Sequence, residues 1–279
     1  KALKQVLKKH YYTNGAPFKY EQTLLQTMIR VKTGIQGLDK ALNGGFPEGN
    51  LVLLSGGAGT GKSTISMQYL INGALLFGEK GLFISTEQSE DELQRAASQF
   101  GWNLVDLENR NLLRVIYFKV LSEDHFLQKI EEIVKSFKPK RIVLDSLSTF
   151  TDSLLMSELQ KDVSISMVKI ADTISPVPRT EQIMTKIILY SLLGKLKEFD
   201  ATIMMTSELR EDTHSLSSDG VSEFICDGIL IPTFSSVAGG SNRTLEIRKM
   251  RFTRFSEGIM PLDFTQEGIV VTTIEEEKL

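Results

Sequence analysis

Short apolar runs alternate with amphipathic stretches through most of the chain. Five runs predict strands, at residues 51–54, 82–86, 112–118, 142–144 and 202–206. Apolar residues recur at helical spacing between these runs, which predicts helices after Ser63, from Ser89 to about residue 100, over 126–137 and over 180–199. This alternation predicts an α/β fold with a mostly parallel central sheet that is flanked by helices.

The C-terminal part of the chain has a different pattern, because short runs follow one another without helices between them. Strands are predicted at residues 228–232, 244–249, 259–264 and 268–272. A glycine-containing connection at 237–242 predicts a hairpin, so we expect antiparallel strands at this end of the sheet. Two stretches are less regular: residues 154–174 carry scattered apolar positions before a break at 175–178, and the polar residues 211–220 predict a loop.

We expect three parts along the chain. Residues 1–32 form an N-terminal helical segment and connector, residues 33–273 form one domain, and residues 274–279 form an acidic tail. The first ten residues are basic and amphipathic and lack the apolar core of a signal peptide. Two interpretations of them stay open, a packed terminal helix and an element that docks on a partner or on a membrane surface.

Residues 56–63 read Gly-Gly-Ala-Gly-Thr-Gly-Lys-Ser and fit the phosphate-loop template of a glycine, four residues and then Gly-Lys-Ser/Thr. The loop joins a predicted strand to a predicted helix, so backbone N–H groups and the positive end of the helix dipole form an anion site there. Lys62 would reach the β- and γ-phosphates, and the Ser63 hydroxyl would hold Mg²⁺. A glycine-rich turn without a ligand is the alternative. The residues predicted to bind the nucleotide are Gly57, Ala58, Gly59, Thr60, Gly61, Lys62, Ser63 and Thr64.

Two acidic residues directly follow predicted strands. Asp145 comes after residues 142–144, where a carboxylate can take a Mg²⁺-bound water opposite Ser63. Its alternative role is to cap the next helix. Glu87 comes after residues 82–86 and is the predicted catalytic base, which would polarise water near the γ-phosphate. Its alternative role is that of a surface residue in the loop before a helix.

Composition restricts the classes of function. A net charge of −3 and a sequence pI of about 5.8 disfavour a protein that coats nucleic acid through bulk positive charge. The single cysteine, Cys226, cannot form an intramolecular disulfide, which favours the reducing cytoplasm. The sequence has no apolar run long enough to span a bilayer and no Cys/His cluster for zinc. His10, His125 and His214 stand in polar contexts that favour no catalytic role.

Four further motifs stand in order along the chain. Gly-Ile-Gln-Gly-Leu-Asp at 34–39 and Gly-Gly-Phe-Pro-Glu-Gly at 44–49 precede the phosphate loop. Gly-Val-Ser-Glu-Phe-Ile-Cys-Asp at 220–227 and Arg-Thr-Leu-Glu-Ile-Arg-Lys-Met-Arg at 243–251 follow it. Together with the phosphate loop, these motifs resemble the KaiC branch of the RecA-like ATPases. The resemblance extends over nearly the whole chain after Lys32, except around residues 154–180.

The resemblance implies a RecA-like P-loop NTPase core over residues 33–273 and a homo-oligomer, a ring hexamer with ATP and Mg²⁺ at its subunit interfaces. It also implies that Lys249 and Arg251, at the end of a late strand, act on the γ-phosphate of a neighbouring subunit. Their alternative role is that of an ordinary charged strand end. The chain departs from the branch at Gln88, where a second glutamate is usual, and at residues 252–255, Phe-Thr-Arg-Phe, where the branch tends to have Gly-Thr-x-His.

Three functions follow as hypotheses. The first is a Mg-dependent ATPase that uses hydrolysis as a conformational or partner-binding switch, with the protein partner left open; the absence of an Asn-Lys-x-Asp string favours ATP over GTP. The second is a DNA-dependent recombinase or helicase-like motor. The acidic pI disfavours it, and only Arg210 and Arg243 flank the loops that would contact DNA phosphates. The third is a nucleotide-gated binding protein that hydrolyses little.

Overall fold

The computed structural model describes residues 28–119, 126–161, 178–209, 215–237 and 240–273. The predictions for the N-terminal helix and for the acidic tail lie outside these ranges. So do residues 162–174 of the irregular stretch and residues 175–177 of the break that follows it. Residues 210–214 of the predicted polar loop also lie outside them, and so do residues 238–239 of the predicted hairpin connection.

Strands and helices alternate in the described ranges as the apolar pattern predicts. The strands are β1 (Arg30–Val31), β2 (Phe46–Pro47), β3 (Leu51–Gly56), β4 (Gly81–Ser85), β5 (Leu113–Tyr117), β6 (Arg141–Asp145), β7 (Thr202–Glu208), β8 (Gly228–Val237), β9 (Gly240–Met250), β10 (Ile259–Thr265) and β11 (Gly268–Val271). The helices are α1 (Leu38–Ala41), α2 (Lys62–Phe77), α3 (Glu90–Ser98), α4 (Leu104–Asn109), α5 (Phe126–Phe137), α6 (Leu147–Lys161), α7 (Pro178–Leu196) and α8 (Ser222–Ile225).

Nine of the described strands form one sheet in the order β11-β10-β9-β8-β3-β7-β6-β4-β5. The strands from β8 to β5 in this order pair in parallel. The strands β9, β10 and β11 are added to β8 in antiparallel pairs. The predicted α/β fold, mostly parallel with antiparallel C-terminal strands, is therefore confirmed. The carboxyl ends of β3, β4, β6 and β7 share one edge of the sheet, because these strands run in the same direction.

The sheet separates two apolar cores, because side chains alternate between its faces. In β3, Val52 and Leu54 belong to a core that includes Leu70 of α2. Leu51 and Leu53 of the same strand belong to the other core, which includes side chains of α5, α6 and α7. All residues of β3, β4 and β6 are buried, which explains why these strands appear in the sequence as continuous apolar runs.

Residues 154–174 have a less regular apolar pattern in the sequence, and where the structure describes them they belong to α6, which extends from Leu147 to Lys161. The first half of α6 is rich in serine and threonine, which weakens its helical pattern. The Thr151 hydroxyl donates to the carbonyl oxygen of Leu147 at 2.8 Å, so this polar side chain is satisfied within the helix. The short helix α4 was not predicted.

The C-terminal strands β8 and β9 are longer than their apolar patterns predict. Pro232, where the first of these predicted strands ends, lies inside β8 opposite Leu245. Proline cannot donate a hydrogen bond to a neighbouring strand. It is accommodated here because β3 pairs with β8 only as far as Leu230, so Pro232 has a paired strand on one side alone in the described sheet.

In the described part of the chain, we find no helix with the length and apolar character needed to cross a membrane.

Candidate functional site

The loop between β3 and α2 has the conformation that its glycines allow. Gly59 and Gly61 have φ values of 72° and 97°, which side chains disfavour. Gly61 immediately precedes α2, and a Cβ atom at Gly61 would lie 2.6 Å from Cζ of Phe264. A Cβ atom at Gly56 would lie 2.5 Å from the carbonyl oxygen of Pro232. The backbone at both glycines is therefore closely surrounded, while the N-terminus of the 16-residue helix α2 faces the loop with its unpaired N–H groups.

Lys62 folds back on this loop. Its Nζ atom donates hydrogen bonds to the carbonyl oxygens of Gly56 and Gly57, at 2.8 and 2.9 Å. Burial lowers the pKa of Lys62, and the negative charge of Glu208 is the strongest influence that opposes this shift. The ammonium group is therefore held by weak carbonyl acceptors, which a phosphate oxygen could replace.

Asp145 ends β6 on the same edge of the sheet and is almost fully buried. Its carboxylate accepts hydrogen bonds from the hydroxyls of Thr206 and Ser63. Burial raises the pKa of Asp145, although both hydrogen bonds oppose this shift. A carboxylate and a hydroxyl side by side are hard oxygen ligands, and Mg²⁺ is typically held by one or two such groups together with substrate phosphates and water. The residues present therefore fit the predicted magnesium site.

Glu87 lies beside this pair, because Ser85 of β4 and Asp145 of β6 are in register. The Glu87 carboxylate accepts a 2.5 Å hydrogen bond from the Ser146 hydroxyl and a 3.1 Å hydrogen bond from the Thr149 hydroxyl. Glu87 is exposed, so a water molecule can reach its carboxylate. The start of α6 thus fixes the orientation of an otherwise exposed carboxylate.

Glu208 was missed by the sequence analysis. It ends β7 in register with Gly56, at the mouth of the phosphate loop. Its charge acts on Lys62 more strongly than the charges of Asp145 and Glu87 do. The signal that identified Glu87 and Asp145 was available here as well, because Glu208 closely follows the apolar run 202–206.

An aromatic rim borders the phosphate loop, and we define it as Phe234, Arg243 and Phe264. The guanidinium group of Arg243 lies 4.8 Å from the ring centre of Phe234 and 4.6 Å from that of Phe264. Its Nε atom donates a 3.1 Å hydrogen bond to the carbonyl oxygen of Gly59. The rim therefore attaches the hairpin of β8 and β9 to the loop and presents partly exposed rings beside it. From the sequence, Arg243 was predicted only as part of the 243–251 motif and as a contact for DNA phosphates.

Lys249 and Arg251 do not lie with these residues in one chain. Lys249 is opposite Ile229 of β8, and Ile229 is beside Leu53 of β3. The phosphate loop begins at Gly56, three residues after Leu53, which corresponds to about 10 Å along a strand. Arg251 lies still further from the phosphate loop, because its backbone N–H donates to the carbonyl oxygen of Asp227, which precedes β8.

Both basic side chains are held at this opposite edge by α8. Lys249 Nζ donates to the carbonyl oxygen of Glu223 at 2.8 Å, and the Arg251 guanidinium donates to that of Phe224 at 3.1 Å. Arg251 also forms a 2.9 Å ion pair with Asp227. Burial lowers the pKa of Lys249, and the nearby charge of Arg251 lowers it further. The pair is thus a basic cluster whose side chains are anchored to α8 and to Asp227.

Comparison with known proteins gives consistent matches. The family model described as ATPase: KaiC matches residues 31–162 and 153–276. A UPF0273 protein of Aeropyrum pernix is 34% identical over 242 residues, which cover 87% of this chain and 93% of that protein. The circadian clock oscillator protein KaiC of Prochlorococcus marinus is 28% identical over 263 residues, which cover 91% of this chain and 47% of that protein.

Among solved structures, the KaiC-like protein PH0186 of Pyrococcus horikoshii matches with a TM-score of 0.70 and 33% identity, over 88% of this chain and 99% of that chain. This chain spans about half the length of the circadian clock oscillator proteins that it matches. The matches to the UPF0273 protein and to PH0186 extend over almost the whole of those proteins. The chain therefore belongs to the KaiC family of P-loop ATPases, within the RecA superfamily.

Proposed function

We propose that this protein binds ATP with Mg²⁺ in the phosphate loop and hydrolyses it at a site that a second copy of the chain completes. The observation that carries the proposal is the meeting of Lys62, the Ser63–Asp145 pair and Glu87 at one edge of the sheet. A phosphate-binding loop, a magnesium site and a positioned carboxylate are the parts that ATP hydrolysis requires.

Each residue has a separate task in this proposal. Lys62 exchanges the carbonyl oxygens of Gly56 and Gly57 for phosphate oxygens, while the loop N–H groups and the α2 N-terminus hold the remaining charge. Ser63 and Asp145 would hold a magnesium ion, which would neutralise phosphate charge. Glu87 orients the attacking water and accepts its proton, and Ser146 keeps its carboxylate in position.

The charges at the site favour a contribution from a second copy. Three carboxylates act on the single ammonium group of Lys62, and a bound nucleotide adds further negative charge. Lys249 and Arg251 supply the missing positive charge, but in their own chain they lie at the opposite edge of the sheet. They can therefore reach a phosphate loop in another copy only, where a guanidinium stabilises charge in the transition state.

The remaining parts of the proposal rest on the resemblance to KaiC proteins. They are a homohexameric ring, the use of hydrolysis as a conformational or partner-binding switch, and a cytoplasmic location. The DNA-dependent motor is not favoured, since no described feature adds to the two arginines on which that alternative rested.

The deciding experiment measures the ATPase rate per subunit against protein concentration, with and without single-stranded DNA. We expect a Mg²⁺-dependent rate that rises with concentration as the copies associate, and we expect DNA to leave it unchanged. A rate that is independent of concentration, with monomer alone seen by light scattering, would contradict the completion of the site by a second copy. A many-fold stimulation by DNA would favour the motor.

A further inference from the structure

We propose that Phe252 is an aromatic anchor between copies of this chain, which packs on the aromatic rim of a second copy's phosphate-loop site. The inference rests on the proposed function, because it places Phe252 beside Arg251 at the same contact. It goes further by assigning a role to the Phe252 ring itself.

The first observation is the backbone conformation of Phe252. Its φ value is +59°, in the left-handed region that glycine adopts freely and that a bulky side chain adopts only at a cost in free energy. A glycine here would remove that cost. A phenylalanine that is kept in such a conformation suggests a function for the ring, since strained residues concentrate at functional sites.

The second observation is that hydrogen bonds from Arg30 hold the strained turn in place. The Arg30 guanidinium donates hydrogen bonds to the carbonyl oxygen of Gly45 and to the hydroxyl of Thr253, both at 3.0 Å. It also donates to the carbonyl oxygen of Phe252 at 3.4 Å. The turn is thus fixed to the β1–β2 ribbon, and its direction is set before any partner arrives.

The third observation is that the Phe252 ring gains little from its own chain. The residue is 59% exposed, although it stands only two residues after the end of β9, and Phe224 beside the same basic cluster is 67% exposed. Aromatic residues and arginine are enriched in protein interfaces, and here exposed aromatic rings stand next to Arg251. This surface therefore has the composition of a contact that a partner covers.

The complementary surface is on the same chain, at the opposite edge of the sheet. The aromatic rim presents Phe234 and Phe264, each 39% exposed, with the Arg243 guanidinium between their rings. The exposed carboxylates of Glu87 and Glu208 lie beside the phosphate loop that the rim borders. The positive charges of Lys249 and Arg251 thus match the carboxylates of Glu87 and Glu208, and the Phe252 ring matches the rings of the rim. We therefore take the partner to be a second copy.

The test compares Phe252→Gly with Phe252→Ala, because both remove the ring while only the glycine relieves the backbone. Assembly is measured by sedimentation velocity with Mg²⁺ and a non-hydrolysable ATP analogue, and the melting temperature is measured without nucleotide. We expect both variants to weaken assembly by about tenfold or more, as loss of an interface anchor does. We expect the glycine variant to melt at a higher temperature than the alanine variant.

Three controls sharpen this test. Phe252→Tyr keeps the ring and should assemble as the wild type does, and Val105→Ala, at an exposed apolar side chain on α4, should also leave assembly unchanged. If Phe252 and Phe264 touch across the interface, the variant that carries both Phe252→Gly and Phe264→Ala should lose less assembly than the product of the single effects.

Three results would overturn the inference alone, with the wild type still assembling. The first is that Phe252→Gly assembles as the wild type does. The second is that the losses of assembly in the variants follow their melting temperatures. The third is that the variants bind ATP more weakly but assemble normally, which would place the ring on the nucleotide. If the wild type neither assembles nor hydrolyses ATP faster at higher concentration, the proposed function fails first and the inference falls with it.

Discussion

The Ser146 hydroxyl donates a 2.5 Å hydrogen bond to the carboxylate of Glu87. Ser146 directly follows Asp145, so this bond connects the ends of two neighbouring strands, one with the candidate metal ligand and one with the candidate base. The distance between the two acidic groups is therefore set by the sheet itself and by the start of α6. The consequences can be tested on each group separately.

Glu87→Gln should lower ATP hydrolysis by about 100-fold or more while ATP binding is kept, since the amide oxygen can still accept from Ser146 but cannot take a proton. Phosphate release and the binding of a fluorescent ATP analogue measure the two effects. Glu90→Gln, at an exposed glutamate in the first turn of α3, is the matched control and should hydrolyse ATP normally. An unchanged rate in Glu87→Gln would show that the base is another group.

Asp145→Asn should make the nucleotide-free protein more stable at neutral pH. Burial raises the pKa of Asp145, so the folded protein keeps this proton to a higher pH than the unfolded chain does. Stability is therefore lost as the pH rises from about 4, the ordinary pKa of aspartate, through the raised pKa of the folded state. Asparagine removes that loss, and its advantage should shrink as the pH falls toward 4.

Thermal melts between pH 4.5 and 8, with and without Mg-ATP, check this prediction. The same variant should lose most of the stabilisation that Mg²⁺ adds to ATP binding, since a carboxylate ligand is gone. Asp263→Asn, at an exposed carboxyl of β10, should change neither measurement. A lower melting temperature for Asp145→Asn at pH 8 would contradict the sign that burial dictates.

Gly61→Ala should weaken ATP binding at least tenfold and should destabilise the protein more than backbone strain alone does. Its Cβ atom would lie 2.6 Å from the Phe264 ring, which would have to move out of the aromatic rim. Gly49→Ala is the matched control, because Gly49 also has a positive φ but has open space around it. The control should cost only the strain, about 1–2 kcal/mol, and should bind ATP normally. If Gly61→Ala and Gly49→Ala bound ATP equally well, the contact with Phe264 would be excluded as a cause of weaker ATP binding.

Mixing Arg251→Ala with Glu87→Gln should restore part of the ATPase activity that each variant lacks alone. Some mixed contacts would join an intact phosphate-loop side from one variant to an intact basic side from the other. The measurement is the steady-state rate at a fixed total concentration, with the ratio of the two variants as the variable. The rate of each variant alone, at the same total concentration, gives the baseline. A rate that never exceeds this baseline would contradict action across an interface.

The apolar pattern predicted most of the fold because the central strands are buried on both faces. In β3 and β6, burial on both sides requires consecutive apolar residues, and such runs are plain in the sequence. The pattern failed where other forces decide. Serine and threonine residues, whose hydroxyls can bond within α6, weaken the helical pattern of that segment. Pro232 predicts the end of a strand, yet β8 continues through it because that part of β8 lacks β3 as a neighbour.

The candidate site could be predicted from sequence as far as it depends on strand ends. Glu87 and Asp145 were found because each follows an apolar run, and the structure places them side by side. Glu208 was missed although it closely follows the apolar run 202–206. The aromatic rim was missed because its position beside the phosphate loop depends on which strands are neighbours. Register between β3 and β7, and between β8 and β9, is a property of the sheet and has no local signal. The domain boundaries and the roles of the site residues stay predictions.

The location of Lys249 and Arg251 at the edge opposite the phosphate loop has a geometric consequence. If these residues complete a site in another copy, as proposed, each copy offers one half of a site on one side and needs the other half on the other side. The contact would then be head-to-tail, and a two-fold dimer could not satisfy it. An open row of copies always leaves one phosphate loop without its basic partner, whereas a closed circle leaves none. Closure itself would then switch on the last site, and the direction from donor to acceptor would give the assembly a polarity.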